Sequence, residues 1–118
     1  MKVLIADDDG LVLAMLGDLL AELGHQVVSA GDGAEAVALC ERAPPDLLIL
    51  DFLMPCLSGL DALRDIRRRH AIPALLLTAI NQGSLRGIDG VDLVQGTLEK
   101  PFTRKSVERA IGKALPAR

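Results

Sequence analysis

A chain of 118 residues, half of them apolar, has the length of one domain and enough apolar surface for a core, so no second unit is expected. A net charge of −3 with no long block of one sign leaves no electrostatic footprint for nucleic acid or anionic lipid, and neither is expected as a direct partner. No apolar run approaches the roughly 18 residues of a membrane span and the N-terminus lacks a signal-peptide pattern, so the expected setting is cytoplasmic, away from the membrane. In chain order, Lys2 to Ala6 is an apolar strand that runs into Asp7-Asp8-Asp9. Leu11, Leu13, Leu16, Leu19, Leu20 and Leu23 then carry a broad helical stripe, which Gly24 stops. Gln26 to Ala30 is a second strand, and Asp32 caps a helix through Ala34, Ala36, Val37 and Cys40 that Pro44 and Pro45 close off. Asp46 to Leu50 is a third strand, followed by a helix from Ser58 to Arg69 with Leu60, Leu63 and Ile66 inward. Ala74 to Thr78 and a weaker Thr97 to Glu99 complete the strands, and Thr103 caps a last helix whose Val107, Ala110, Ile111 and Leu115 share one face.

Apolar strands separated by helices predict a parallel sheet covered on both faces, a doubly wound five-stranded α/β sandwich. Ligands bind such sheets beyond the carboxyl ends of the strands. The polar residues that stand out fall there: Asp7, Asp8 and Asp9 after strand one, Asp51 after strand three, Thr78 after strand four and Lys100 after strand five. Taken singly, each reads as a helix cap or a solvated charge. Together they gather acids, a hydroxyl and an ammonium at one edge. Two carboxylates about 4 Å apart repel by roughly 4 kcal/mol at an effective dielectric near 20, so such a cluster calls for a cation, and oxygen donors favour a hard metal ion.

The remaining candidates read as structure. Arg67-Arg68-Arg69-His70 ends an amphipathic stretch, where cations favour the negative end of the helix dipole. Cys40 and Cys56 lack CxxC spacing and read as reduced thiols, and His25 and His70 read as surface residues.

On Asp7-Asp8-Asp9, on Asp51 opening the stretch to Gly59, on Thr78-Ala79 and on Lys100-Pro101-Phe102, the whole chain resembles the receiver domains of two-component response regulators. The resemblance implies a CheY-like sheet of order 2-1-3-4-5 and one receiver domain over residues 1–118. Asp51 is then the acceptor of a phosphoryl group from a phosphohistidine of a sensor kinase or histidine phosphotransfer protein. It implies one Mg²⁺ held by Asp8, Asp51, the backbone carbonyl of Leu53 and, through water, Asp7. Lys100 pairs with a phosphoryl oxygen, and Thr78 with the Ala79 N–H binds another. Asp9 is left to cap the first helix, and the Lys100–Pro101 bond is expected to be cis. The protein is then no enzyme but a phosphoacceptor that promotes its own phosphotransfer and dephosphorylation. Its output is altered binding to a downstream protein target, with a phosphorylation-dependent dimer as a further form.

Two departures from the family pattern shape this reading. Thr97 stands where the family carries an aromatic switch residue, so ring rotation is not the output signal. Between Asn81 and Gly96 the fourth helix is poorly encoded, since Gly83, Gly87, Gly90 and Gly96 lie in or beside it and an interior Gly costs about 1 kcal/mol against Ala. A short or mobile helix whose ordering reports phosphorylation is expected there. Leu53 and Ile80, two positions after Asp51 and Thr78, offer no polar group to orient a hydrolytic water, so slow dephosphorylation is expected.

Rival classes fit less well. Gly31-Asp32-Gly33-Ala34-Glu35-Ala36 matches a dinucleotide-binding pattern, but that fingerprint belongs at the first strand-to-helix turn, which here is acidic. An aspartyl phosphohydrolase needs a second acid two residues after Asp51, where Leu53 stands. A receiver-like interaction module without phosphorylation would not need to keep the acids and the Lys. The chain reads as a stand-alone regulator, given Met1 and the polar tail Pro116-Ala117-Arg118, with a receiver fragment of a longer regulator as the alternative.

Overall fold

The computed structural model describes residues 1–80 and 82–115, the side chain of Gln82 excepted. Asn81 and the tail Pro116-Ala117-Arg118, which figure in two of the expectations above, lie outside the described residues. Strands β1 (Lys2–Ala6), β2 (Gln26–Ala30), β3 (Leu47–Asp51), β4 (Ala74–Thr78) and β5 (Gly96–Glu99) alternate with helices α1 (Gly10–Glu22), α2 (Gly33–Arg42), α3 (Gly59–Arg67), α4 (Gln82–Leu85) and α5 (Arg104–Ala114). All neighbouring strands pair in parallel, in the order β2-β1-β3-β4-β5.

Alternation of side chains across the sheet sorts the apolar residues into two layers. Val3 and Ile5, Leu47 and Ile49, Leu75 and Leu77, and Leu98 meet Leu16 and Leu20 of α1 and Val107, Ala110 and Ala114 of α5. Leu4 and Ala6 with Leu48 and Leu50 meet Ala36 and Cys40 of α2 and Leu63 and Ile66 of α3. A third, small cluster of Leu60, Leu76 and Leu85 sits under α4, with Phe52, Ile80, Ile88, Val91 and Val94 packed against it. Every residue of β3 and β4 is buried, as expected for central strands covered on both faces.

Several boundaries differ from the sequence expectation, each for a local reason. Strand three runs one residue later, because the Asp46 carboxylate takes the Lys2 N–H at 2.8 Å while Asp51 joins the ladder opposite Leu77. Helix α3 starts after Ser58, whose hydroxyl accepts the Asp61 N–H, and ends at Arg67, beyond which the backbone N–H groups of Arg68 and Arg69 make tight-turn bonds to the Asp65 and Ile66 carbonyl oxygens. Strand five begins one residue earlier, at Gly96. Leu11 is 68% exposed rather than inward, since it lies about 140° around the helix from Leu16. His25 and His70 are half-buried, His25 Nδ1 lying 3.4 Å from the Met1 amino nitrogen. The fourth helix is a single turn, followed by glycines at φ 83° (Gly87) and 90° (Gly90) and a 3-10 turn at Val91–Leu93.

Two glycines fix the loop that follows β3. A Cβ at Gly59 would run into the Asp51 carbonyl oxygen, and one at Gly33 would lie 2.6 Å from the Leu57 carbonyl oxygen. By contrast, the exposed helical Gly112 has nothing within 4 Å of such a carbon. Gly59→Ala or Gly33→Ala is therefore expected to lower the unfolding free energy by about 1–3 kcal/mol in urea titrations. Gly112→Ala in the same titrations should raise it by about 0.5–1 kcal/mol.

Candidate functional site

The strand register brings the sequence-predicted polar residues to one edge. Ala6 pairs with Leu50, so Asp7 and Asp51, the next residue of each strand, stand side by side. Alternation puts both on the α1/α5 side of the sheet, the side of Ile5 and Ile49. Lys100, two residues beyond Leu98, comes to the same side, whereas Thr78, two beyond Leu76, belongs to the other. The Lys100 N–H donates to the Thr78 carbonyl oxygen at 2.8 Å, which holds the two strand ends together.

The geometry follows this placement. Lys100 Nζ forms ion pairs with Asp7 Oδ2 at 2.9 Å and with Asp51 Oδ1 at 3.4 Å. Asp7 is 1% exposed and Asp51 7%. The other Asp7 oxygen, Oδ1, accepts the Asp9 N–H at 2.9 Å, and Asp9 in turn caps α1 by accepting the Leu11 N–H at 2.9 Å. Asp8 stays exposed, and oxygens of Asp7, Asp8 and Asp51 all lie within 4.8 Å of one another. Three carboxylates at that separation are a hard-oxygen donor set suited to a small divalent cation.

Thr78 is buried, and its Oγ1 accepts the Ile80 N–H at 2.9 Å. Together with Leu53 and Ala79, these residues border a cleft of about 180 Å³ beside Asp51 and Lys100. Leu53 is 67% exposed at its rim, while Ile80 is half-buried in the cluster under α4. The Lys100–Pro101 bond is cis, as the resemblance implies. In the loop after Asp51, Cys56 takes φ 71°, a backbone region rare for residues other than Gly. The Gly31–Gly33 stretch, whose pattern resembled a nucleotide fingerprint, is occupied by capping and packing: Asp32 accepts the Glu35 N–H and Gly33 abuts Leu57.

Sequence reasoning passed over Arg64 and read Arg67 only as a cation at the end of a helix dipole. Arg67 does more than face a helix dipole, since Nε donates to Ile72 O and Nη1 to Leu93 O, both at 2.9 Å, and Nη2 donates to Gln95 Oε1 at 3.0 Å. The latter two partners lie 26 and 28 residues away, so no local signal could have indicated them.

Electrostatics within the site are unequal. Burial, then the neighbouring Asp7 charge, pushes the Asp51 carboxyl up to about 6, with Lys100 opposing. Burial alone would lower the Lys100 ammonium, but Asp7 and Asp51 outweigh it and hold it above its ordinary value. A carboxyl near 6 in the folded chain and near 3.9 unfolded binds its proton more tightly when folded. In magnesium-free buffer this group should therefore add stability as pH falls through about 6, levelling off below about 4. Asp51→Asn should flatten that part of the profile and raise the melting temperature at pH 7 by roughly 3–5 °C for each kcal/mol of relieved repulsion, read by thermal denaturation.

Residues 3–112 match the family model of the response regulator receiver domain. The chain is 39% identical over 117 residues to the transcriptional regulatory protein PdtaR of Mycobacterium tuberculosis, covering 97% of this chain and 56% of that protein. It is 35% identical over 115 residues to a probable transcriptional regulator, ycf27, of Porphyridium aerugineum, covering 97% and 48%. The chain thus spans about half the length of the curated relatives it matches. Among solved structures, the chemotaxis protein CheY4 of Vibrio cholerae superposes with a TM-score of 0.89 at 28% identity, over 97% of this chain and 98% of that one. A putative response regulator from Chloroflexus aurantiacus gives 0.86 at 31% identity, over 98% of both. With its sheet order, acid cluster and motif positions all agreeing, the chain belongs to the response regulator receiver domain family.

Proposed function

We propose that residues 1–118 act as one receiver domain, with Asp51 accepting a phosphoryl group from a phosphohistidine of a sensor kinase or histidine phosphotransfer protein. The observation that carries this reading is Lys100 Nζ seated between two buried carboxylates, 2.9 Å from Asp7 and 3.4 Å from Asp51, at the mouth of a small cleft. An Asp51 oxygen forms the new P–O bond as the P–N bond to the donor imidazole breaks, and the imidazole nitrogen keeps the electron pair. Phosphoryl transfer asks mainly for alignment and charge neutralisation. Lys100 supplies one cation for the phosphoryl oxygens. Asp8 and Asp51, with the Leu53 carbonyl and Asp7 through water, would hold Mg²⁺, which when bound neutralises charge shared by the acceptor and the phosphoryl group. The Thr78 hydroxyl and the Ala79 N–H bind a further phosphoryl oxygen.

The product carries roughly 1.5–2 negative charges, and the output is changed binding to a protein target, either a separate molecule or a segment of a longer chain. A phosphorylation-dependent dimer is one form such binding takes. Among the described residues no helix is long and apolar enough to cross a membrane, and the cytoplasm is the setting this reading assigns.

Incubation with acetyl phosphate and Mg²⁺ should add the mass of one phosphoryl group to the intact protein. Chelating the magnesium or replacing Asp51 with Asn should abolish it, and an unchanged mass in the complete mixture overturns the reading. The aspartyl phosphate should be long-lived because Leu53 presents an apolar, exposed side chain beside the acceptor. Leu53→Asn, adding one hydrogen bond to an incoming water, should speed phosphate loss roughly fivefold in a time course, the equivalent of about 1 kcal/mol. Ile80→Glu is a less clean companion, since Ile80 also packs in the cluster under α4.

A further inference from the structure

The stretch between α4 and β5 is held from α3 by two arginines of unlike strength. Arg67 is an anchor: its three donors bond Ile72 O, Leu93 O and Gln95 Oε1. Gln95 Oε1 also accepts the Ala74 N–H at 2.7 Å, which ties that anchor to the start of β4. Arg64, one turn earlier, makes a looser contact and shares its guanidinium with its own helix, Nη1 lying 3.2 Å from Asp61 Oδ1. Its Nη2 lies 3.0 Å from Asp89 Oδ2, and the Asp89 side chain is 96% exposed. Its guanidinium also fills the space beneath Gly90, where a Cβ would sit 2.6 Å from Nη2. Gly87 and Gly90, both at positive φ, bracket Asp89 and give the backbone two pivots.

The same stretch is rooted beside the phosphoacceptor. Phe52, which follows Asp51, and Ile80, whose N–H is tied to Thr78 Oγ1, pack on the Leu60, Leu76 and Leu85 cluster together with Ile88 and Val91. Drawing the Thr78 hydroxyl toward a phosphoryl oxygen pulls on the Ile80 N–H. Ile80 is therefore the link between Thr78 and the packing under residues 85–91.

We propose that Arg64 latches residues 86–92 onto α3 in the unmodified protein, and that phosphorylation of Asp51 releases this latch while Arg67 stays as the hinge. The release half rests on the phosphoacceptor reading above; the latch half does not. An exposed ion pair is weak, so its loss costs little and a modest push opens it. No aromatic ring at position 97 is needed for this signal, which is a loosening of the segment rather than the ordering expected from the sequence.

Amide hydrogen exchange read by mass spectrometry tests both halves. In the unmodified protein, Arg64→Ala and Asp89→Asn should each speed exchange over residues 86–92 by about two- to fivefold, the range expected of an exposed pair, and leave β1 and β3 unchanged. Asp89→Asn removes only a surface carboxylate, so it reports on the latch if Arg64→Ala weakens the fold. Gly90→Ala should speed exchange more in the wild-type background than with Arg64→Ala, because only the former keeps the guanidinium beneath it. Phosphorylated wild type should match the Arg64→Ala pattern over residues 86–92. Wild-type exchange in both latch variants overturns the latch. A protein that gains phosphoryl mass yet keeps its resting exchange over this stretch overturns the release. If no phosphoryl mass is gained, the phosphoacceptor reading falls, and the unmodified variants still decide the latch.

Discussion

The close approach of like charges at the carboxyl edge of the sheet governs the chemistry of this receiver domain. Asp7 and Asp51 are both buried, oxygens of both lie within 4.8 Å of Asp8, and Lys100 is the cation that makes the arrangement tolerable. Burial costs a carboxylate more than it costs an apolar group of the same size, so the sheet must overdetermine the position of the acids. It does so through the ladder: Asp51 pairs with Leu77, the preceding Leu50 is paired on both sides, the Phe52 N–H that follows donates to the Leu77 carbonyl oxygen, and Asp7 follows directly on a paired Ala6.

One ammonium facing two carboxylates leaves a negative excess at this edge. Burial, and then the Asp7 charge, pushes the Asp51 carboxyl up to about 6, with Lys100 opposing. Asp7 is pinned by the Asp9 N–H and by Lys100, so of the two buried acids it is the more committed to holding the site together. Asp9 completes the division of labour by capping α1.

Legibility in the sequence followed the range of the interactions involved. The strands and long helices could be read because each carries its own period, cap or stop: Asp9, Asp32, Ser58 and Thr103 all cap as their chemistry suggests. The thinness of the fourth helix was equally visible, because glycine acts on the local backbone whatever surrounds it. What replaced the helix was not. The turn over residues 86–95 is shaped by Arg64 and Arg67, whose side chains reach it from α3, and nothing within either stretch announces the other. Ile80 likewise read as a lining of the water's approach, and only packing revealed it as part of the cluster under α4.

Composition, periodicity and the motif positions by themselves determined a five-stranded parallel sheet with acids, a hydroxyl and a lysine at its carboxyl edge, because side-chain alternation and strand ends are properties of neighbouring residues. The tertiary structure alone decided that Lys100 pairs more closely with Asp7 than with Asp51, that Thr78 approaches from the opposite side of the sheet, and that α3 holds the turn before β5. Those facts depend on distances between groups far apart in the chain. Such distances are set by register and packing, which no local pattern of residues encodes.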